Sequence, residues 1–300
     1  MGRTQVLAGL TLAALAVSGG CARGARAPGL VVGAKNFTEQ TILGEIAAQQ
    51  LERRLGAPVT RRLDLGGTLL AHQALTAGHI DLYPEYTGTA FTAILTQKPV
   101  SDPAAVREAV AREYGKRWDL VWAPPLGFEN TFALVVRGED AARLGLAKIS
   151  DLAAHPELKP GFGYEFLERE DGYKGLARAY GLAFAKRPAE MDLGLLYPAL
   201  ASRQVDVIAG NSTDGLIAAQ GAVVLADDRR YFPPYEAAFV VRGPVWRDRP
   251  AVRAALEALA GSLGDEAMRR MNAAIDRDKR RPEDVAREFL LRLHDAGPHK

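Results

Sequence analysis

The chain has 300 residues, 48% of them hydrophobic and 25% charged, the balance of a globular protein long enough for two compact lobes. Its 38 Lys and Arg against 36 Asp and Glu leave a formal charge of +2, which removes the electrostatic case for nucleic acid, since that wants a basic excess on one face. A single cysteine excludes a disulfide framework, and no apolar run after residue 30 approaches the roughly 20 residues that span a bilayer.

Arg3 precedes an uncharged apolar run from Val6 to Val17, and Ser18-Gly19-Gly20 leads directly into Cys21. A positive start, a short apolar core and small residues form the layout of an export signal. A cysteine just after them points to lipoprotein processing, with Cys21 lipidated as the new N-terminus. Ser18 stands where a leucine-like residue is usual, and a plain cleaved signal is the alternative. Residues 1–20 are then leader and 21–28 a tether, placing the mature chain in the periplasm or on the outer face of the cell membrane. One acyl chain anchors only reversibly, so stable attachment needs the several chains of a lipoprotein.

Gly29 to Gly33 is a short apolar run ended by glycine, a buried strand. Ile42, Leu43, Ile46, Ala47, Leu51 and Leu55 then recur at three and four residues, predicting an amphipathic helix capped at Asn36 or Thr38 and closed at Gly56. Val59 to Leu65 reads as a strand, Leu69 to Ala77 as a helix capped by Thr68, and Ile80 to Tyr83 as a third strand before a turn-rich Pro84 to Thr89. Further strands are expected at Leu120 to Trp122, Thr131 to Val136, Lys159 to Phe166, Val205 to Ala209, Val223 to Leu225 and Ala237 to Val241. Helices are expected at Gly172 to Tyr180, Pro198 to Ala201 and Thr213 to Ala219. Three more follow from Val252 to Leu263, Glu266 to Ile275 and Pro282 to Leu293. Strands alternating with helices predict parallel sheets with helices outside.

Four stretches are unusual as core or surface filler: Ala34 to Gln40, Tyr83 to Thr89, Gly127 to Phe132, and Gly210 to Gly215. Each adjoins the end of a predicted strand, where ligands collect in open α/β sheets. They carry aromatics, amides and hydroxyls with little net charge, which suits holding a small polar ligand better than breaking a bond. Within them Glu39 reads first as stabilising a helix N-terminus, and Thr213 and Asp214 as caps. The five histidines give neither a metal-ligand pattern nor a nucleophile–base pair near these segments, so no catalytic residue, metal or cofactor is expected.

Taken in order, several motifs resemble the substrate-binding proteins of the osmoprotectant (glycine betaine/choline/carnitine) ABC importers. They are Lys35-Asn36-Phe37-Thr38-Glu39-Gln40, Leu65-Gly66-Gly67-Thr68, Asp81 to Thr89, Asn130-Thr131-Phe132-Ala133-Leu134, Glu165-Phe166-Leu167, Asp171-Gly172-Tyr173, Ser212-Thr213-Asp214-Gly215 and Phe232-Pro233-Pro234-Tyr235-Glu236. The resemblance spans about residues 30 to 295. It implies an α/β, two-lobed periplasmic-binding-protein-like fold (type II), each lobe a mostly parallel sheet flanked by helices, hinged by two crossovers. Lobe one would be 29–130 plus 237–295 and lobe two 131–236. The protein would work as a monomer that delivers its ligand to a membrane permease.

The resemblance also implies an aromatic cage for a quaternary ammonium, carried here onto Tyr86, Phe132, Asn211 and Tyr235. The ligand's carboxylate would fall to Lys35 or Asn36, Thr89 and Arg169. A quaternary ammonium has no N–H to donate, so aromatic faces and shape must select it. Phe132 and Asn211 stand where relatives often have tyrosine. Asn211 offers no face, which predicts a cage open on one side with an amide donor and acceptor there. A larger zwitterion such as ergothioneine, or an amino acid, is the alternative ligand; an extracytoplasmic enzyme on the same scaffold is the remote one.

Overall fold

The structure, a computed structural model, describes residues 29–295; the leader, Cys21 and the rest of the tether lie outside them. Two five-stranded sheets form two lobes. The first sheet has the order β2-β1-β3-β10-β4, from β1 (Val31–Gly33), β2 (Thr60–Arg62), β3 (Leu82–Tyr86), β4 (Leu120–Trp122) and β10 (Ala237–Arg242). The second has the order β7-β6-β8-β5-β9, from β5 (Phe132–Arg137), β6 (Pro160–Phe162), β7 (Ala189–Glu190), β8 (Val207–Asn211) and β9 (Ala222–Val224). In each sheet four strands share a direction and one is inserted antiparallel. That strand is β5 or β10, the one the chain enters directly after passing between the sheets.

Burial follows strand alternation. In β5, Leu134 and Val136 face one core while Ala133 and Val135 face another. In β10, Phe239 and Val241 join the core under helix α1 (Thr38–Leu55), whereas Val240 faces the opposite layer around Leu75, Val110 and Tyr114. Ile42, Leu43, Ile46 and Leu51 of α1 are fully buried against that sheet. The helix ends at Gly56, whose left-handed backbone (φ 62°) lets its N–H reach Glu52 O.

The two connecting segments are hydrogen-bonded to each other, Asn130 N–H to Tyr235 O at 3.2 Å and Ala237 N–H to Phe128 O at 3.1 Å. They form a two-stranded joint at the base of the cleft.

Two expected boundaries move. Pro84-Glu85-Tyr86 is strand rather than turn: β3 runs to Tyr86 and pairs with β10 throughout. Pro84 is tolerated because its nitrogen turns away from β10 toward the β1 side, where pairing ends at Leu82. The strand predicted from Lys159 to Phe166 stops at Phe162, and Tyr164–Glu168 is a short helix. The break comes at Gly163, and it swings Glu165 and Arg169 toward the cleft.

Candidate functional site

Between the lobes lies a cavity of about 70 Å³, measured as space open to the centre of a water molecule. Lys35, Asn36, Tyr86, Thr89, Phe132, Arg169, Asn211 and Tyr235 all line it. Sequence motifs scattered over 200 positions are therefore brought to one place by strand ends and the joint. Lys35 and Asn36 follow β1, Tyr86 closes β3 and Thr89 follows it, Phe132 opens β5 and Asn211 closes β8.

Both cations are already paired. Lys35 Nζ lies 2.6 Å from Glu85 Oε1, with both side chains buried. That carboxylate also accepts the Tyr86 N–H at 2.8 Å and the Tyr83 hydroxyl at 3.1 Å. It thus fills the gap that β1 leaves beside β3. The ammonium stands 5.0 Å from the Tyr86 ring centroid and 5.9 Å from that of Phe37. Lys35 therefore sits among aromatic faces, not apart from them.

Arg169 meets Asp171 at 2.6 Å, reaches Thr89 Oγ1 at 3.3 Å and places its guanidinium 4.8 Å from the Phe132 centroid. Burial opposes the charge on Asp171, yet Arg169 and the Tyr235 hydroxyl hold its carboxyl below the usual range.

Phe132 and Tyr235 meet edge to face with centroids 6.0 Å apart. Tyr235 is fully buried and donates its hydroxyl to Asp171 Oδ2 at 2.5 Å. Its ring rests on Gly88, where an added Cβ would come within 2.6 Å of Tyr235 Cδ1 and 2.7 Å of Pro234 O. A side chain at Gly88 would displace both the ring and the backbone beside it.

Asn211 faces the cavity with its amide partly engaged. Its Nδ2 points at Asp214 Oδ1 (3.3 Å) and its backbone N–H at Asp214 Oδ2 (2.8 Å). One of the two amide N–H groups is thus engaged, which leaves the second N–H and Oδ1. Burial pushes the Asp214 carboxyl up to about 6, against hydrogen bonds from Asn211 and Tyr197 that favour its charge. Beyond Asn211 the cleft continues into a second space of about 750 Å³, bounded by Leu193, Tyr197, Asp214 and Asp276.

Several lining residues were not singled out as ligand-binding from sequence. Phe37 adds an aromatic face. Glu165, from lobe two, receives the Thr68 N–H at 2.6 Å and the Thr68 hydroxyl at 3.0 Å, bridging the cleft mouth at the N-terminus of helix α2 (Thr68–Thr76). Glu39 was expected to serve its own helix; instead its buried carboxylate collects Tyr86, Asn130, Thr213 and Asn272. Asn272 carried a readable signal, an amide beside Met268 and Met271 on the buried face of its helix. Among the described residues no cluster of metal-ligating side chains occurs, and no helix is long and apolar enough to cross a membrane.

Two lobes of this topology, a paired double joint and an aromatic-lined cleft define a bilobal solute-binding protein of type II. Residues 28–292 match the family model described as the substrate binding domain of the ABC-type glycine betaine transport system, and the chain belongs to that family. It is 37% identical over 281 residues to the glycine-betaine-binding protein of Pseudomonas aeruginosa, covering 90% of this chain and 89% of that protein. It is also 37% identical over 266 residues to the ergothioneine transport permease/ergothioneine binding protein of Helicobacter pylori. That match covers 88% of this chain but only 47% of the Helicobacter protein. A crystal structure of a glycine betaine/carnitine/choline ABC transporter superposes with a TM-score of 0.73 at 32% identity, over 88% of this chain and 98% of that one.

Proposed function

We propose that the chain is the extracytoplasmic solute-binding component of an ABC importer, which captures a quaternary-ammonium solute of the glycine betaine, choline or carnitine type and hands it to a membrane permease. The observation that carries this reading is the convergence of Tyr86, Phe132 and Tyr235, with Phe37, on one interlobe cavity. A cation over an aromatic face gains about 0.5–2 kcal/mol per good contact, and several faces at once supply what hydrogen bonds cannot. Thr89, Asn36 and Arg169 provide polar atoms for the other end of the ligand. Binding would favour the closed arrangement because one ligand touches both lobes, residues 29–130 with 237–295 and residues 131–236. The protein acts as a monomer without covalent chemistry, held outside the cytoplasm by lipid on Cys21.

A second reading, a larger zwitterion such as ergothioneine, is favoured by the space beyond Asn211 and by the name of the Helicobacter relative. Titration calorimetry separates the two. The described fold starts at Gly29, so a chain from Ala22 contains all of it; the panel is glycine betaine, choline, carnitine, ergothioneine and proline, with Tyr86→Ala as control. Trimethylammonium binding that Tyr86→Ala abolishes is the expected result. Binding of proline alone, or of nothing, would leave the family as a description of the scaffold only.

A further inference from the structure

Charge bookkeeping around the cavity leaves two acids without a cation among the described residues: Asp214, held by Asn211 and Tyr197, and the more deeply buried Glu39. Lys35 is matched by Glu85 and Arg169 by Asp171. Glu165 lies at the rim, tied to the N-terminus of helix α2 and 3.9 Å from Arg169. Glu39 is different: it is 2% exposed and makes no ion pair among the described residues. Its two oxygens are instead held by four neutral donors. Oε1 accepts the Tyr86 hydroxyl at 2.6 Å and Asn130 Nδ2 at 2.8 Å. Oε2 accepts the Thr213 hydroxyl at 2.5 Å and Asn272 Nδ2 at 3.0 Å.

Two donors per oxygen is the pattern that satisfies an ionised carboxylate, because amide N–H groups have no other use for it. Burial raises the carboxyl's pKa, and these four bonds offset only part of that rise. The donors come from β3, the joint, lobe two and the helix Asp265–Asp276, so the charge is fixed where the moving parts meet.

We propose that Glu39 is a positioning residue that acts through Tyr86, fixing the cage ring and serving as the buried counter-charge for the ligand's cationic head. The inference rests on the quaternary-ammonium reading above. A phenol that donates to a carboxylate carries more negative charge on its ring, and cation–π attraction is electrostatic, so the Tyr86 face becomes a better seat for a cation. Burial multiplies the effect, since little solvent lies between. The Thr213 bond ties the site to both lobes, because lobe two supplies one of the four donors.

The test compares ligands of one shape and different charge. Choline is paired with 3,3-dimethylbutan-1-ol, and glycine betaine with 3,3-dimethylbutanoate; in each, carbon replaces the ammonium nitrogen. Affinities are measured by calorimetry and competition on the chain from Ala22, for wild type, Glu39→Gln, Tyr86→Phe and the double variant. The expected result is roughly a tenfold loss for the ammonium ligand in Glu39→Gln, with the carbon isostere changed by less than about threefold. In the Tyr86→Phe background Glu39→Gln should then cost little more.

Equal losses for both members of a pair would reduce Glu39 to a structural role and overturn the proposal, as would no loss at all. Should Glu39→Gln fail to fold, Tyr86→Phe alone decides: it keeps the ring and breaks the link, and must show the same charge-selective loss. A wild-type chain that binds neither ammonium ligand would defeat the functional reading itself, and this inference with it.

Discussion

The bridge across the cleft mouth allows a quantitative test of closure. Glu165 in lobe two accepts two bonds from Thr68 in lobe one, at 2.6 and 3.0 Å, and places a negative charge at the start of helix α2. Hydrogen bonds to a charged group contribute about 1.5–3 kcal/mol each when protected, and helix-terminus charge about 0.3–1 kcal/mol. The Glu165 side chain is 29% exposed, so the pair is worth about 2 kcal/mol in total rather than the sum. Glu165→Ala should therefore weaken ligand binding about 30-fold. Because the bridge joins the two lobes and would have to break for the cleft to reopen, the loss should appear in the dissociation rate. Thr68→Val removes only the hydroxyl's bond and should raise dissociation about fivefold, roughly 1 kcal/mol. Gly67→Ala offers a steric route to the same end, since a Cβ there would lie 2.3 Å from Glu165 Oε1 and from the Tyr164 hydroxyl. Stopped-flow fluorescence with a bound trimethylammonium ligand reads both rates. Unchanged dissociation in Glu165→Ala, or a loss confined to association, would refute the bridge as a closure element.

The buried Lys35–Glu85 pair sets up a stability prediction: Glu85→Ala strands a buried ammonium and should cost about 3–5 kcal/mol in denaturant unfolding, while Lys35→Met with Glu85→Leu should recover most of it. Asp214 titrates with the opposite sign to a salt-bridged acid. Its folded value of about 6 lies above the ordinary 3.8, so its protonated form favours folding; that stability is full below about pH 4 and lost as pH rises through 6. Relative to Asp214→Asn, wild type should lose on the order of 2 kcal/mol between pH 4 and 7, and parallel unfolding profiles would contradict this. Asn211→Tyr should supply a further face and narrow the passage to the second space. It is expected to tighten glycine betaine by roughly 3- to 30-fold while weakening ergothioneine, as calorimetry would show.

Much of this arrangement was legible because it is local. Helix α1 shows its apolar spacing and its closing glycine, and the segments flanking Lys35, Tyr86, Phe132 and Asn211 stand out by composition at strand ends. Pro84 misled because proline's cost in a strand depends on which side its nitrogen faces, and that is settled by where β1 ends. The helix Pro103–Trp118 went unread even though Asp102 caps Ala104 and Ala105 and Pro103 sits at its first turn, a start signal that was present. Glu39 could not be assigned from its neighbours in sequence: its partners are 47, 91, 174 and 233 positions away. The pairing of Arg169 with Asp171 and the bond from Asn211 to Asp214 are short-range in sequence, yet depend on backbone direction that composition does not convey.

The most direct test is a crystal structure of the chain grown with glycine betaine. The account predicts the trimethylammonium group between the lobes, its methyl carbons against the rings of Tyr86, Phe132 and Tyr235, and the carboxylate toward Thr89 and Arg169. A ligand seated beyond Asn211 and touching none of those rings would contradict it.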